Sequence, residues 1–327
     1  MQALLLNEPG LPTSLYVGAV PEPHPAAGEV RVKVHAAGLN PVDYKLAKRG
    51  VGRWTYPHIL GLDVAGVIDA LGPGVTQWHI GDAVYYHGDL SKPGGFAEWS
   101  IAPAHAISPL PPSLSFNEAA ALPCAGFTAY QALHHKLHVQ RGQTILVQAG
   151  AGGVGGFAVQ LAAIAGLRVI ATCSAANSDW VRQLGAAEVI DYQSQEVPAV
   201  VRELTQGRGV DAIVDTVSAD TATAGLEMLA FGGGIACVAA LPDLSRFQSF
   251  GKALSVHDIA LGGAHLSGDR MAQAQLAQIG RDFGRLVSDR AITPMLENVI
   301  RLEDIPDSLA HLSQQHGRGK IVAQIFP

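Results

Sequence analysis

The chain is poor in cysteine. Three occur among 327 residues, Cys124, Cys173 and Cys237, far apart in sequence. That excludes a disulfide framework and makes a reducing, cytoplasmic setting the expectation. Charge is scarce as well, at 15% of residues, and the balance is acidic, −6 at neutral pH. No run of lysine or arginine stands out, so neither nucleic acid nor an anionic membrane surface is an expected partner. No apolar stretch reaches spanning length without polar interruption, and the one at residues 1–6 is too short for a signal peptide. Internal repeats and low-complexity tracts are missing too. What is abundant is apolar surface, 48% hydrophobic residues over a length suited to two domains, each with a well-buried core.

The first third is β-rich. Short runs such as residues 30–35 and 64–70 are separated by turn signals, among them Gly72-Pro73-Gly74 and Lys92-Pro93-Gly94-Gly95. One short helix is expected over residues 44–49, capped by Asp43 and ended by Gly50. Prolines at 103, 109, 111, 112 and 123 then bar a long helix or a central strand. The domain crossing is placed at the end of that stretch. This gives expected domains at residues 1–122 and 123–265, and a C-terminal segment at 266–327 that rejoins the first. From residue 144 the pattern alternates. Strands are expected at 144–149, 168–172, 188–191, 210–217 and 234–239. The clearest helices lie at 154–165 and 179–184. That alternation implies an α/β fold with a doubly wound parallel sheet of Rossmann type. Residues 257–263 read as its last, edge strand and 320–326 as a final strand. His134 and His138, four apart, would share a helix face, but with no third ligand in view a solvated helix end is the better account.

The strongest chemical signal is Gly150-Ala151-Gly152-Gly153-Val154-Gly155, lying between a strand and a helix. Glycines at 150, 152 and 155 permit a tight turn. Backbone N–H groups there and the helix N-terminus suit a pyrophosphate. A site for NAD has an acid about 20 residues further on, to bind the ribose hydroxyls. The second strand instead runs out through Thr172-Cys173-Ser174-Ala175-Ala176-Asn177. A neutral pocket of that kind tolerates a 2′-phosphate, with Ser174, Asn177 and Tyr192 as donors and Arg182 or Arg318 as added charge. For Arg182, surface solvation is the better account. NADPH is therefore the expected cofactor.

At this point the chain resembles the medium-chain dehydrogenase/reductase superfamily, and within it the zinc-independent quinone oxidoreductase, zeta-crystallin-like branch. The resemblance runs through Leu39-Asn40-Pro41-Val42-Asp43-Tyr44, Leu60-Gly61-Leu62-Asp63-Val64-Ala65-Gly66, Leu122-Pro123-Cys124-Ala125-Gly126-Phe127-Thr128, the glycine turn and the closing Gly319-Lys320-Ile321-Val322. It implies a GroES-like, β-rich catalytic domain completed by the C-terminal segment, and a homodimer paired through the edge strand. It implies that Asn40 and Thr128 face the nicotinamide, that Gly152, Gly153 and Val154 hold the pyrophosphate, and that Ser174 and Tyr192 lie near the adenosine phosphate. Asn177 stands where NADPH-dependent relatives often carry lysine. Zinc-dependent relatives have cysteine where Asn40 stands and Gly-His-Glu where Gly61-Leu62-Asp63 stands. Cys124 alone cannot make a tetrahedral site, so no metal is expected.

The expected activity is NADPH-dependent reduction of a small quinone, enal or enone, with Asn40 and Tyr44 as catalytic candidates. Tyr44 would shape the substrate cleft or donate a proton. Cys124 reads as a small buried hydrophobe. Two alternatives stand beside this: an NADPH-binding sensor or scaffold without turnover, and a zinc alcohol dehydrogenase, which the missing ligands count against.

Overall fold

The computed structural model describes residues 1–247, 250–314 and 317–326. The chain divides into two compact units, Met1–Phe127 with Leu261–Pro327, and Thr128–Ala260.

The Thr128–Ala260 unit is built on a six-stranded, all-parallel sheet. Its strand order is Glu188–Asp191, Arg168–Cys173, Thr144–Val147, Val210–Asp215, Leu229–Cys237 and Ser255–Asp258. The apolar strand centres explain the sheet. Ile170, Leu146, Ile213, Ile235 and Val256 lie in one register row across five strands. The first four are fully buried. Each such side chain contributes roughly 1.5–3 kcal/mol on leaving water. The chain starts at Thr144–Val147, builds outward to one side, then returns to the other at Val210–Asp215. The direction of winding therefore reverses beside Thr144–Val147, the usual place for a ligand crevice at strand carboxyl ends.

The other unit holds a seven-stranded sheet ordered Leu296–Arg301, Lys320–Gln324, Glu29–Gly38, Asp63–Leu71, Ala83–His87, Ser108–Pro109, with Trp99–Pro103 also paired to Glu29–Gly38. A small second sheet joins Tyr16–Ala19, Gln2–Leu6 and His58–Ile59. Lys320–Gln324 runs antiparallel to Glu29–Gly38 and parallel to Leu296–Arg301. The helix Arg270–Ser288 carries an apolar face of Leu276, Ile279, Phe283 and Val287, spaced to share one side.

The sequence reading differs from the structure at several places: the strand expected at 234–239 is Leu229–Cys237, and the final strand ends at Gln324. The short helix is Pro41–Arg49, not 44–49: Asn40 is its N-cap, and Asp43 sits at the third helical position. Proline at the first turn loses no intrahelical bond, which lets the helix begin there. The last parallel strand is Ser255–Asp258, so residues 259–263 leave the sheet rather than extend it. His134 lies in a π-helical segment, Gln131–Lys136, and His138 beyond it has φ +48°, so the two do not share a regular helix face.

Candidate functional site

In the parallel-sheet unit the glycine turn links Thr144–Val147 to the helix Gly153–Ile164. Ala149 adopts φ +54°. It is held by its N–H donating to Thr172 Oγ1 at 3.0 Å, and the Gly150 N–H donates to the Thr172 carbonyl at 2.8 Å. Gly155 then packs so closely that a Cβ would lie 2.2 Å from the Ala149 carbonyl oxygen. Gly152 is the N-cap, and no side chain caps the helix. The first-turn N–H groups of Gly153, Val154 and Gly155 have no intrahelical acceptor. An uncapped helix start behind a turn that leaves no room for a Cβ at Gly155 fits a phosphate-bearing dinucleotide.

The adenosine-end candidates gather at the carboxyl ends of two neighbouring strands. Ser174 follows Arg168–Cys173, and the Asn177 amide donates to its Oγ at 3.2 Å. Tyr192 follows Glu188–Asp191 and is 43% exposed. Asp191, which the sequence reading did not weigh, pairs in register with Cys173. Its carboxylate accepts from Ser194 Oγ at 2.6 Å and from Gln193 N–H at 3.2 Å, and these bonds hold it below the usual carboxylate range. A bond from the Ala175 N–H adds to this, so the carboxylate ties its own turn to the segment that follows Ser174. Arg182 pairs with Asp179 at 3.4 Å. Thr128, 6% exposed, opens this unit.

In the other unit a buried polar cluster forms around Asn40. Across the sheet, Gly38, Asp63 and His87 occupy one register row on three strands. Asp63 is fully buried and Lys320 is 3% exposed. The Asn40 amide donates to Asp63 Oδ2 at 2.8 Å. Its Oδ1 accepts from the Lys320 ammonium, which also donates to the Leu39 carbonyl at 2.9 Å and to Asp63 Oδ2 at 3.3 Å. Asp63 Oδ1 accepts from the Cys124 N–H at 2.7 Å. Burial pushes the Asp63 carboxyl up, and Lys320 and the Asn40 bond pull it back. Burial also raises the Cys124 thiol well above the usual thiol range, which leaves it a poor nucleophile. Burial lowers His87 to about 3, so its ring is neutral at physiological pH. Tyr44 is half-buried and packs on the unit's core. Arg318 is engaged by Glu297 through bonds of 2.7 and 3.1 Å.

Asp43 is also fully buried, and its Oδ2 accepts from the Asn40 N–H at 2.8 Å. Desolvation, with Asp63 nearby, pushes its carboxyl up to about 8. Below about pH 4 the group is protonated in folded and unfolded chains alike and costs nothing. Between about 4 and 8 the unfolded chain ionises first, so this group makes stability fall as pH rises, and the full cost is present above that range. Asp43→Asn keeps an oxygen for the Asn40 N–H and carries no charge. Its stability relative to wild type is expected to improve by about 1 kcal/mol or more between pH ~5 and ~9. Urea unfolding of both proteins across that range checks this, and a difference that does not change with pH would contradict it.

The sequence reading named Asn40 but missed Lys320 and Asp63 as its partners. An available signal was a lysine opening a largely apolar closing strand. Among the described residues, no three His, Cys, Asp or Glu side chains gather in a metal-binding arrangement.

Residues 26–112 match the alcohol dehydrogenase GroES-like domain family, and residues 153–281 the zinc-binding dehydrogenase family. The quinone oxidoreductase of Pongo abelii is 33% identical over 241 residues, 73% of each chain. The dehydrogenase azaJ of Aspergillus niger is 39% identical over 220 residues, 61% of this chain and 63% of its own length. The chain spans only 7% and 12% of two far larger relatives. The quinone oxidoreductase structure from Coxiella burnetii superposes with a TM-score of 0.88 at 29% identity, covering 100% of this chain and 99% of that one.

Proposed function

Because the chain belongs to the quinone oxidoreductase branch of the medium-chain dehydrogenase/reductase superfamily, we propose that it transfers a hydride from NADPH to a quinone or an α,β-unsaturated carbonyl, without zinc. The Thr128–Ala260 unit is the cofactor domain in this reading and the other unit the catalytic one. Gly152, Gly153 and Val154 hold the pyrophosphate on the uncapped helix start, with Gly150 and Gly155 shaping the turn. Ser174, Asn177 and Tyr192 receive the 2′-phosphate. Asn40 and Thr128 meet the nicotinamide end. Bound NADPH supplies the hydride.

The observation that carries the zinc-free part is the Asn40 cluster. Asn40 Oδ1, Asp63 Oδ2 and the Leu39 carbonyl oxygen each accept from one ammonium, that of Lys320. A cation built into the chain occupies the donor set. Reducing an isolated carbonyl concentrates charge on one oxygen, which zinc enzymes offset with a Lewis acid. A quinone or conjugated enone spreads that charge itself. A few hydrogen-bond donors then suffice, Tyr44 or backbone N–H groups, and the proton comes from Tyr44 or water.

The test is a side-by-side assay of untreated and metal-stripped protein. NADPH oxidation is expected with quinones and enals, unchanged by stripping, and little reaction with saturated ketones or simple alcohols. Loss of activity on stripping would return Cys124 to consideration as a ligand. NADPH binding without turnover on any acceptor would favour a sensor.

The edge strand Ser255–Asp258 leaves one side of the parallel sheet unpaired among the described residues. Pairing of two such edges gives a homodimer with one continuous sheet. Light scattering at micromolar concentration is expected to give twice the chain mass of 34.1 kDa, and the monomer mass would contradict it.

A further inference from the structure

We propose that Lys320 is a positioning residue of the reaction, acting through Asn40. This rests on the reading that Asn40 meets the nicotinamide end of the cofactor. An ammonium can only donate and a carboxylate can only accept. Between Lys320 and Asp63 the Asn40 amide therefore has one orientation. Its oxygen faces Lys320 and its nitrogen faces Asp63, at 2.8 Å. Turning the amide over would set N–H against ammonium and oxygen against carboxylate. The orientation is imposed by charge, not by shape.

The valences close around this arrangement. The three ammonium protons have three acceptors, Asn40 Oδ1, the Leu39 carbonyl and Asp63 Oδ2. The Asn40 nitrogen is directed at Asp63 and, at 3.4 Å, at the Gly38 carbonyl. What Asn40 still offers is lone-pair capacity at Oδ1, so it serves as an acceptor for a hydroxyl or a carboxamide N–H. Asp63 also fixes the Cys124 backbone, at the start of the segment that leads out of this unit. Gly38 makes room for the carboxylate. A Cβ there would sit 3.0 Å from Asp63 Oδ2 and 2.3 Å from the Ala120 carbonyl oxygen.

A cluster of this kind is a poor way to gain stability. Desolvating two charges offsets most of their attraction, and apolar side chains of similar volume often serve the fold as well. Its distinctive product is one defined orientation of a short amide, held by a residue 280 positions away in the chain. Arginine would not substitute, because its planar fork cannot place three donors on three converging oxygens.

The experiment separates positioning from folding. Lys320→Met leaves Asp63 charged, buried and unpaired, and its melting temperature is expected to fall. Lys320→Met combined with Asp63→Asn removes both charges and is expected to recover most of that loss. Two ligands are then titrated by protein fluorescence, NADPH and 2′,5′-ADP, which lacks the nicotinamide end. In the double variant 2′,5′-ADP is expected to bind as in wild type, NADPH at least tenfold more weakly, and kcat is expected to fall at least tenfold. A double variant with recovered stability, wild-type NADPH affinity and wild-type kcat would overturn the proposal and leave Lys320 a structural residue. Wild-type protein that binds 2′,5′-ADP and NADPH equally would show instead that the reading of Asn40 fails, and the proposal with it.

Discussion

Gly155→Val is expected to abolish measurable NADPH binding and to lower stability by about 2–4 kcal/mol. The contact is with backbone, not with a side chain that can step aside. A Cβ at this position would lie 2.2 Å from the Ala149 carbonyl oxygen and 2.8 Å from its carbon. Ala149 cannot retreat easily, because it is already in the left-handed region and tied to Thr172 by its N–H. Relief must come from lifting the helix start off the turn, which moves the N–H groups of Gly153 and Val154 that would hold the pyrophosphate. A rise of at least a hundredfold in the NADPH dissociation constant is the expected readout, with a parallel thermal melt. Binding within threefold of wild type would mean that the glycine turn is not the cofactor cradle.

Ser174→Asp is expected to weaken NADPH by ten- to a hundredfold while leaving NADH unchanged or slightly tighter. The position closes the strand Arg168–Cys173 beside Asn177 and Tyr192, where the 2′-phosphate would sit. A carboxylate there faces a phosphate of nearly two negative charges, and even at partly solvated distances the repulsion is on the order of 1–3 kcal/mol. The same carboxylate can accept from the two ribose hydroxyls of NADH. Parallel titrations of both cofactors at low and high salt decide it. The ratio should move toward NADH and the shift should shrink as salt screens the charges. An unchanged ratio would place the 2′-phosphate elsewhere.

The glycine turn was legible in the sequence because its logic is local. Strand, turn and helix follow directly on one another, and Gly155 answers a steric demand six positions back, at the Ala149 carbonyl. The parallel sheet was legible for a related reason. Its strands are short apolar runs with regular spacing, and Ile170, Leu146, Ile213 and Ile235 announce burial by composition alone. The Asn40 cluster was not legible. Asn40 and Asp63 are 23 positions apart, and Lys320 lies 257 positions beyond Asp63. They meet only because three strands from distant parts of the chain share a sheet. No local period records that. The short helix start was misjudged because Asp43 has a capping residue's chemistry but serves one turn further in, where its carboxylate answers the Asn40 N–H. The two histidines were misplaced because a π-helical segment breaks the spacing on which a shared face depends.

The position of the Lys320–Gln324 strand matters before the protein is ever finished. Its neighbours Glu29–Gly38 and Leu296–Arg301 leave the ribosome earlier, the first of them by roughly 280 residues of synthesis. At translation speeds of about 5–20 residues per second, a wait on the order of tens of seconds separates the first strand from the last. Through that interval the Thr128–Ala260 unit has its entire sequence and can complete its sheet. The older N-terminal segment can pair its own strands, but Glu29–Gly38 still lacks its Lys320–Gln324 neighbour, and Asp63 its ammonium. Nascent chains stalled before residue 320 should therefore resist protease across the middle of the protein while remaining cleavable at the beginning, a reversal of the order in which the two parts were made.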